Sequence, residues 1–491
     1  MKSLRAVAIG LLFASSASAQ TFGDSTSVSP LLAAEARAAQ EQSPSVGIPA
    51  NLPCPDCNVR RRWGAAIGEL MLVQLIPSSV NNVIRDAEWA KISPDVWYDN
   101  LQNPWKWDDN KFVNNQFSHP YHGNLYFNSA RANGFGFWGS APWPFAGSAM
   151  WELFGEGWAP SPNDFWNTSV GGLSLGEALW RLSSLTLDNT ATGSERVWRE
   201  IGGAVLNPIR GFNRLVSGET GRVSANPSEW RPSFIQGAID VGYRKIGGEN
   251  SLSGDLATDQ VYAQLRLQYG DGYEDVTHAP FSTFRVKAEV ADKESQGQRG
   301  RLSMLEARGS LYGHVLSKSE TTEHLLGAFI RYEYYNNPAY EFGGQSFSGG
   351  WLGRWRKSSG FETRAEVLAS FYPIGATRSD FFSAEEGRDY DYGFGYGATP
   401  SVTFVWWPRF VFRTGYTLSH IHTLDGAHSS HTQGGGYFDA RFQATKSIGL
   451  GMSYFNYHRW SEYRDFADVD QGSPQLSFYV GLALPGAETR E

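Results

Sequence analysis

From about Ser233 onward, large apolar residues recur at every second position with polar or small residues between them. This period of two gives an extended strand one greasy face. In the segment 475–484, Leu476, Phe478, Val480, Leu482 and Leu484 alternate with Gln475, Ser477, Gly481 and Ala483. Ile235, Ile239, Val241 and Tyr243 likewise oppose Gln236, Asp240 and Arg244, and Ile330, Tyr332 and Tyr334 oppose Arg331 and Glu333. Phe438, Ala440, Phe442 and Ala444 oppose Asp439, Arg441 and Gln443 in the same way. About twelve such runs, each roughly 10 to 15 residues long, are long enough to cross a bilayer at the usual strand tilt. Their centres fall near Ile239, Leu265, Val286, Ala307, Ile330, Gly349, Val367, Val402, Phe412, Phe442, Tyr454 and Val480.

A β-sandwich would have to bury the charges of the minority face in its core, and its strands are usually shorter. In a closed barrel those charges line a lumen. The fold class is therefore mainly β, an antiparallel transmembrane β-barrel of about twelve strands preceded by an α-helical domain. The lumen is expected to hold Asp240, Arg244, Arg266, Arg285, Glu289, Glu306, Arg308, Arg331, Glu333, Glu366, Asp439 and Arg441, together with Glu362, Arg364 and Arg413. Mixed charge in a narrow barrel pairs and fills it, which disfavours a wide passive pore.

The N-terminus has the pattern of a secretory signal: Lys2 and Arg5, an apolar stretch from Ala6 to Ala14, then Ala17-Ser18-Ala19 before Gln20. After this segment no run of about 18 uninterrupted apolar residues occurs, so the chain does not read as a helical membrane protein. The formal net charge of −8 gives no support to nucleic-acid binding. The expected organisation is a signal peptide over 1–19, a leader over 20–59, a helical domain over 60–220 and the barrel over 233–485. The expected location is the bacterial outer membrane. The expected partners are its lipids and the barrel assembly machinery.

The leader carries Cys54 and Cys57, the only 2 cysteines. Two cysteines cannot complete a structural zinc site alone, so a local disulfide formed in an oxidising compartment is expected. In the helical domain, apolar spacing predicts a helix over 63–84 that Pro77 kinks or stops, and a short one over 145–154. Ser161 reads as an N-cap with Pro162 at the first helical position, and a helical stretch from Glu195 to Leu215 is interrupted at Pro208.

The densest polar motifs lie in this domain. They are Asn115-Gln116-Phe117-Ser118-His119-Pro120-Tyr121-His122-Gly123, Trp151-Glu152 with Gly155-Glu156, Ser161-Pro162-Asn163-Asp164, Gly171-Gly172, Gly176-Glu177, and Asn207-Pro208-Ile209-Arg210. In this order the blocks resemble a family of bacterial exported proteins of unknown function. The resemblance runs from about Asn114 to Arg214 and implies an envelope protein, without supplying a reaction.

Two readings of the motifs follow. In the catalytic one, His119 or His122 is a general base, and Glu152, Glu156 or Asp164 orients the imidazole or binds a metal; Glu152 and Glu156 would share a helix face. Zn²⁺ and Ca²⁺ are both chemically compatible with such donors, and no cofactor is identified. Ser118, Ser129 and Ser169 are candidate nucleophiles, although no Gly-x-Ser-x-Gly elbow is present. In the structural reading, Asn128, Arg131, Glu177, Arg181, Asn207 and Arg210 form a buried polar network that docks helices, with Glu177 and Arg181 at ion-pair spacing. His428 and His431 are expected to be solvent-exposed. The leading expectation is a barrel whose helical domain plugs, caps or braces it, serving envelope maintenance or limited transport. The alternatives are a lipid-modifying hydrolase and a surface receptor using the loop Ser379–Asp391.

Overall fold

A computed structural model describes residues 52–253, 257–293, 299–357, 360–406 and 409–484. The signal-peptide segment and most of the leader lie outside the described residues. The chain divides into two compact units, one of Arg61–Trp180 with Pro232 onward, the other of residues up to Arg60 with Arg181–Arg231.

The first unit holds twelve strands: β1 (Ile235–Ile246), β2 (Thr258–Tyr269), β3 (Phe284–Lys293), β4 (Arg299–Lys318), β5 (Thr322–Asn336), β6 (Glu341–Lys357), β7 (Phe361–Arg378), β8 (Tyr390–Trp406), β9 (Phe410–Asp425), β10 (Ser429–Gln443), β11 (Ile448–Tyr463) and β12 (Val469–Ala483). Each pairs antiparallel with its chain neighbours, and β1 pairs with β12, for example Val241 opposite Val480, so the sheet closes. All twelve expected centres fall inside strands.

The interior is fixed by side chains that meet across the barrel rather than along a neighbouring pair. Arg285 on β3 donates to Glu366 on β7 at 2.7 Å, and Arg266 on β2 lies 3.5 Å from Asp439 on β10. Such reach is possible only through the lumen. Arg308 adds a second cation 2.8 Å from Glu366, while Glu333 receives both Arg331 at 2.8 Å and the Tyr372 hydroxyl at 2.9 Å. At the end where β1 begins, Tyr273 and Val276 from the β2–β3 connection pack with Leu325, Phe329, Leu352 and Leu368. The opposite face carries exposed Val241, Val261, Leu326, Val367, Phe371, Phe478, Val480 and Leu482, as a lipid-facing belt requires.

The same unit contains the helices α1 (Trp63–Ser79), α2 (Pro94–Gln102), α3 (His119–Arg131), α4 (Phe137–Ser140) and α5 (Pro142–Met150). Then comes α6 (Pro162–Thr186), which begins in this unit. Pro77 does not stop α1: a π-helical turn, Val80–Ile84, continues it, and the Asn81 side-chain amide donates to the Pro77 carbonyl at 2.8 Å. Two further π turns, Asn114–Ser118 and Trp151–Gly155, lead into α3 and out of α5. Helices α3 and α6 approach at backbone distance. A Cβ on Gly123 would lie 1.8 Å from the Thr168 carbonyl oxygen, and one on Gly172 would lie 2.5 Å from the Gly123 carbonyl carbon. Gly172 and Gly176 stand one helical turn apart, the small-residue spacing that permits such contact.

The helical segment Arg61–Trp180 packs on the outward face of the barrel wall and does not fill the lumen, which corrects the expectation of a plug. Tyr332 and Tyr334 alternate with luminal Arg331 and Glu333, so their rings point outward, yet they are 0% and 1% exposed. The Tyr332 hydroxyl donates to the Gln116 carbonyl at 2.6 Å, and Tyr334 packs on Phe112 and Phe117. A Cβ on Gly343, directly opposite Tyr334, would collide with the Gln116 side chain at 2.4 Å. Glycine at that position lets the π turn seat against the wall. Tyr390 and Tyr392, outward on β8, receive Asn115 at 2.9 Å and Asn163 at 3.1 Å.

In the other unit, α7 (Gly193–Leu206) and α8 (Pro208–Val216) break at Asn207, whose side chain caps α8 by accepting from the Arg210 amide at 3.0 Å. Cys54 and Cys57 are disulfide-bonded. Nearby in sequence, Asp56 accepts from Asn189 at 2.8 Å and Arg214 at 3.2 Å.

Candidate functional site

A cleft of about 400 Å³ opens in the first unit, lined by His119, His122, Glu156, Asp164, Ser118 and Ser161 with Asp108, Asp109, Asn110 and four tryptophans, Trp89, Trp107, Trp151 and Trp158. Four of the five proposed catalytic residues therefore meet at one opening. Each arrives by a separate device. The π turn Asn114–Ser118 rotates the chain so that α3 begins at His119, with Pro120 in its first turn. Ser161 caps α6, its hydroxyl accepting from the Asp164 amide at 3.4 Å, and this brings Asp164 to the cleft floor. Pro162 opens that helix as the sequence implies.

His119 Nε2 lies 3.6 Å from Asp164 Oδ1, and its Nδ1 is 3.2 Å from Thr168 Oγ1, one turn further along α6. His122 differs: its Nε2–H donates to the Val73 carbonyl at 3.3 Å, and its ring packs tilted against Tyr126 and edge-on to Trp151. Glu152 is 1% exposed and uses Oε2 to accept the Ser161 amide at 2.8 Å, so it braces the start of α6. Its Oε1 has no hydrogen-bond partner among the described residues. Glu156 does not share a helix face with Glu152. The π turn ends before it, Glu156 is extended, and its Oε2 accepts the Trp151 indole N–H at 3.2 Å.

Burial governs the protonation of this group. It pushes Glu156 up to about 8, with the Asp108 charge adding to the effect. Burial also raises Glu152, with the Glu156 and Asp164 charges adding, and raises Asp164, with the Asp108 and Glu156 charges adding. Burial lowers His119 and His122 to about 4, with the Asp108 charge opposing the shift at His119. At neutral pH the imidazoles are thus neutral and Glu156 holds its proton, so His119 does not meet Asp164 as a charged imidazolium.

Among the described residues no group of three or more His, Cys, Asp or Glu side chains is arranged to hold a metal ion. Ser129 and Ser169 are buried and their hydroxyls donate to the Leu125 and Pro144 carbonyls at 3.0 and 3.5 Å, which leaves Ser118 as the candidate nucleophile at the cleft.

The expected polar network falls into two units. Arg131 grips Glu177 with two bonds of 2.8 and 3.3 Å, and Asn128 donates to the Gly176 carbonyl at 3.2 Å. Asn207 and Arg210 belong to the other unit, with Arg210 donating to Ser184 at 2.6 Å and lying over the Trp230 ring at 4.7 Å; Arg181 falls there as well. His428 is exposed as expected, but His431 is fully buried, its Nε2 2.9 Å from Asp391, because the alternation of β10 turns it into the lumen. In the loop read as a receptor surface, Arg388 is fully buried and lies 3.3 Å from Asp109 and 2.6 Å from Asp425, so part of that loop engages the helical segment.

Sequence reasoning missed Asp108, Asp109 and Trp107. Their run, Trp105-Lys106-Trp107-Asp108-Asp109-Asn110, precedes the motif block and has no periodicity, so only its polar and aromatic density marked it.

Residues 104–209 match the model of a family described as a domain of unknown function, DUF3943. No curated protein matches the chain. Among solved structures, the COG4313 outer membrane channel from Pseudomonas putida F1 is similar at 12% identity, covering 53% of this chain and 100% of its own, with a TM-score of 0.31. The NanC porin follows at 9% identity, 49% and 98% coverage and 0.27, and the KdgM porin at 10%, 50% and 99%, and 0.22. At these identities and scores the likeness says nothing of a transported solute. The family correspondence therefore rests on residues 104–209, the stretch that supplies His119, His122, Glu156 and Asp164 to the cleft.

Proposed function

We propose that the protein is an outer-membrane barrel, exported by a signal peptide cleaved before Gln20 and inserted by the barrel assembly machinery, whose ion-paired lumen does not serve as a wide pore. Its barrel is the mount for the helical segment on its outer wall, and its role is envelope maintenance. The observation that carries this reading is the set of bonds crossing the lumen, Arg285 to Glu366 and Arg266 to Asp439. A hydrated channel would leave such charges solvated and apart. Planar-bilayer recording of the purified protein tests it. The expected result is no steady conductance, and porin-like steps would refute the closed lumen.

A second reading, lipid hydrolysis at the cleft, is favoured by the convergence of neutral His119, Asp164 and Ser118. In it, His119 takes the proton of water or of the Ser118 hydroxyl as that oxygen attacks the ester carbonyl and passes it to the departing alcohol oxygen as the ester bond breaks, a further water hydrolysing the acyl group where Ser118 carries it, while Asp164 orients the imidazole. Release of fatty acid from outer-membrane lipid by the wild type, abolished in His119→Ala, would establish it. Equal release by the variant would remove it.

A further inference from the structure

Helix α1 is built inside out. Its buried face carries Glu69, Gln74 and Ser78 beside Ala66, Leu70 and Val73, whereas Ile67, Leu72, Leu75 and Ile76 face outward, and Val83 and Ile84 continue that exposure at 81% and 77%. The buried polar groups are matched. Glu69 accepts from Asn133 at 2.7 Å, and Gln74 accepts the Tyr126 hydroxyl at 2.9 Å while donating to the Gly147 carbonyl at 2.7 Å. In water such a helix would expose its apolar stripe at a cost of about 25 cal/mol per Å². In hydrocarbon the same arrangement is the stable one, because polar groups must be satisfied within the protein.

Three further observations point the same way. The stretch Trp63–Ile84 is long and apolar enough to cross a membrane: its 22 residues rise about 33 Å, against a hydrocarbon thickness of about 30 Å. The α3–α6 contact is made by glycines at backbone distance, the packing mode of helices in lipid. The segment is also anchored to the outward wall of β5, the strand on which Leu326 faces the lipid belt, so it is held on the side of the barrel that meets lipid.

We infer that the outward face of α1 is covered by the acyl chains of the bilayer that the barrel spans, making α1 a membrane-spanning helix held at the side of the barrel. This rests on the membrane-barrel reading above. The occupant is lipid rather than a second copy because the exposed stripe runs the length of a helix long enough to cross the bilayer, in a segment fastened to the outward wall of the barrel.

The test uses the full chain reconstituted in phosphatidylethanolamine and phosphatidylglycerol vesicles, with single spin labels on Leu75→Cys, Ile76→Cys, Val480→Cys and Glu320→Cys. The native cysteines are disulfide-bonded and do not react. Leu75 and Ile76 are already exposed, so labels there need no repacking, and heat-modifiable gel migration confirms folding of each variant. The inference expects Leu75 and Ile76 labels to collide with oxygen and not with a water-soluble nickel chelate, matching Val480, while Glu320 in the β4–β5 connection collides with nickel. Nickel access at Leu75 and Ile76 with protection at Val480 overturns the membrane-spanning placement of α1 and leaves the barrel standing. Nickel access at Val480 as well overturns both. Dipolar broadening between Ile76 labels of separate chains assigns the face to a second copy and also overturns the inference.

Discussion

Gly123→Ala is the sharpest test of how the helical segment is assembled. A Cβ at this position would sit 1.8 Å from the Thr168 carbonyl oxygen and 3.0 Å from the Gly172 Cα. Ordinary contact needs about 3.4 Å or more, so α3 and α6 must part by about 1.5 Å, and a gap of even 0.5–1 Å already forfeits a quarter to a half of each contact's attraction. The obstacle is backbone, which cannot rotate away as a side chain does. The loss spreads along the seam, where Pro120 packs on Gly171 and Phe127 on Gly176. Overpacking costs about 1–3 kcal/mol, and the upper end is expected here. Alanine's better helix propensity returns about 1 kcal/mol. The control is Gly68→Ala in α1, where nothing lies within 4 Å, so propensity alone should stabilise by up to about 1 kcal/mol. Urea-dependent proteolysis in detergent, followed on the fragment containing residues 61–180, reads both. The two variants should shift the midpoint in opposite directions. If Gly123→Ala behaves like Gly68→Ala, the close helix contact does not exist.

In the lumen, Glu366→Gln leaves Arg285 and Arg308 without their shared carboxylate and should cost about 3–5 kcal/mol, read as a lower temperature for the heat-dependent gel shift. Tyr392→Phe removes the hydroxyl that receives Asn163 and should weaken seating of the helical segment by about 0.5–1.5 kcal/mol, with faster proteolysis near residue 163 and no change in barrel migration. The cleft carboxyls give a pH signature of definite sign. Glu156 is raised to about 8, so the folded state binds more protons than the unfolded one between the usual carboxylate range and pH 8, and its stabilising effect is lost as pH rises through that window. Glu156→Gln should flatten the alkaline fall in hydrogen-exchange protection of α6. The histidines act oppositely: lowered to about 4, they cost stability as pH falls from about 6.5 toward 4. Protection that falls toward acid in His119→Leu as steeply as in wild type would contradict this for His119.

The barrel was legible because its information is local. A period of two assigns every residue of a strand to one face, so Arg331 and Glu333 go inward and Tyr332 and Tyr334 outward before any partner is known. Twelve strand centres follow from that rule alone. The rule does not say what covers the outward face. Tyr332 and Phe478 read alike in the sequence, yet one is sealed beneath Gln116 and the other is 52% exposed. Helix α1 carried the same ambiguity, since apolar spacing marks a stripe without saying whether it meets protein or lipid. The cleft was half legible: its histidines and acids stand in dense motif blocks, but π turns decide their convergence. The turn at Trp151–Gly155 takes Glu156 off the helix face it was expected to share with Glu152. Asp108 and Asp109 join only because the chain returns to lie beside Asp164. Alternation is a property of neighbours along one strand, and so the sequence by itself determines it. Which surface meets lipid, and which charges share a cleft, depends on contacts between residues far apart in the chain, and only the tertiary structure decides those.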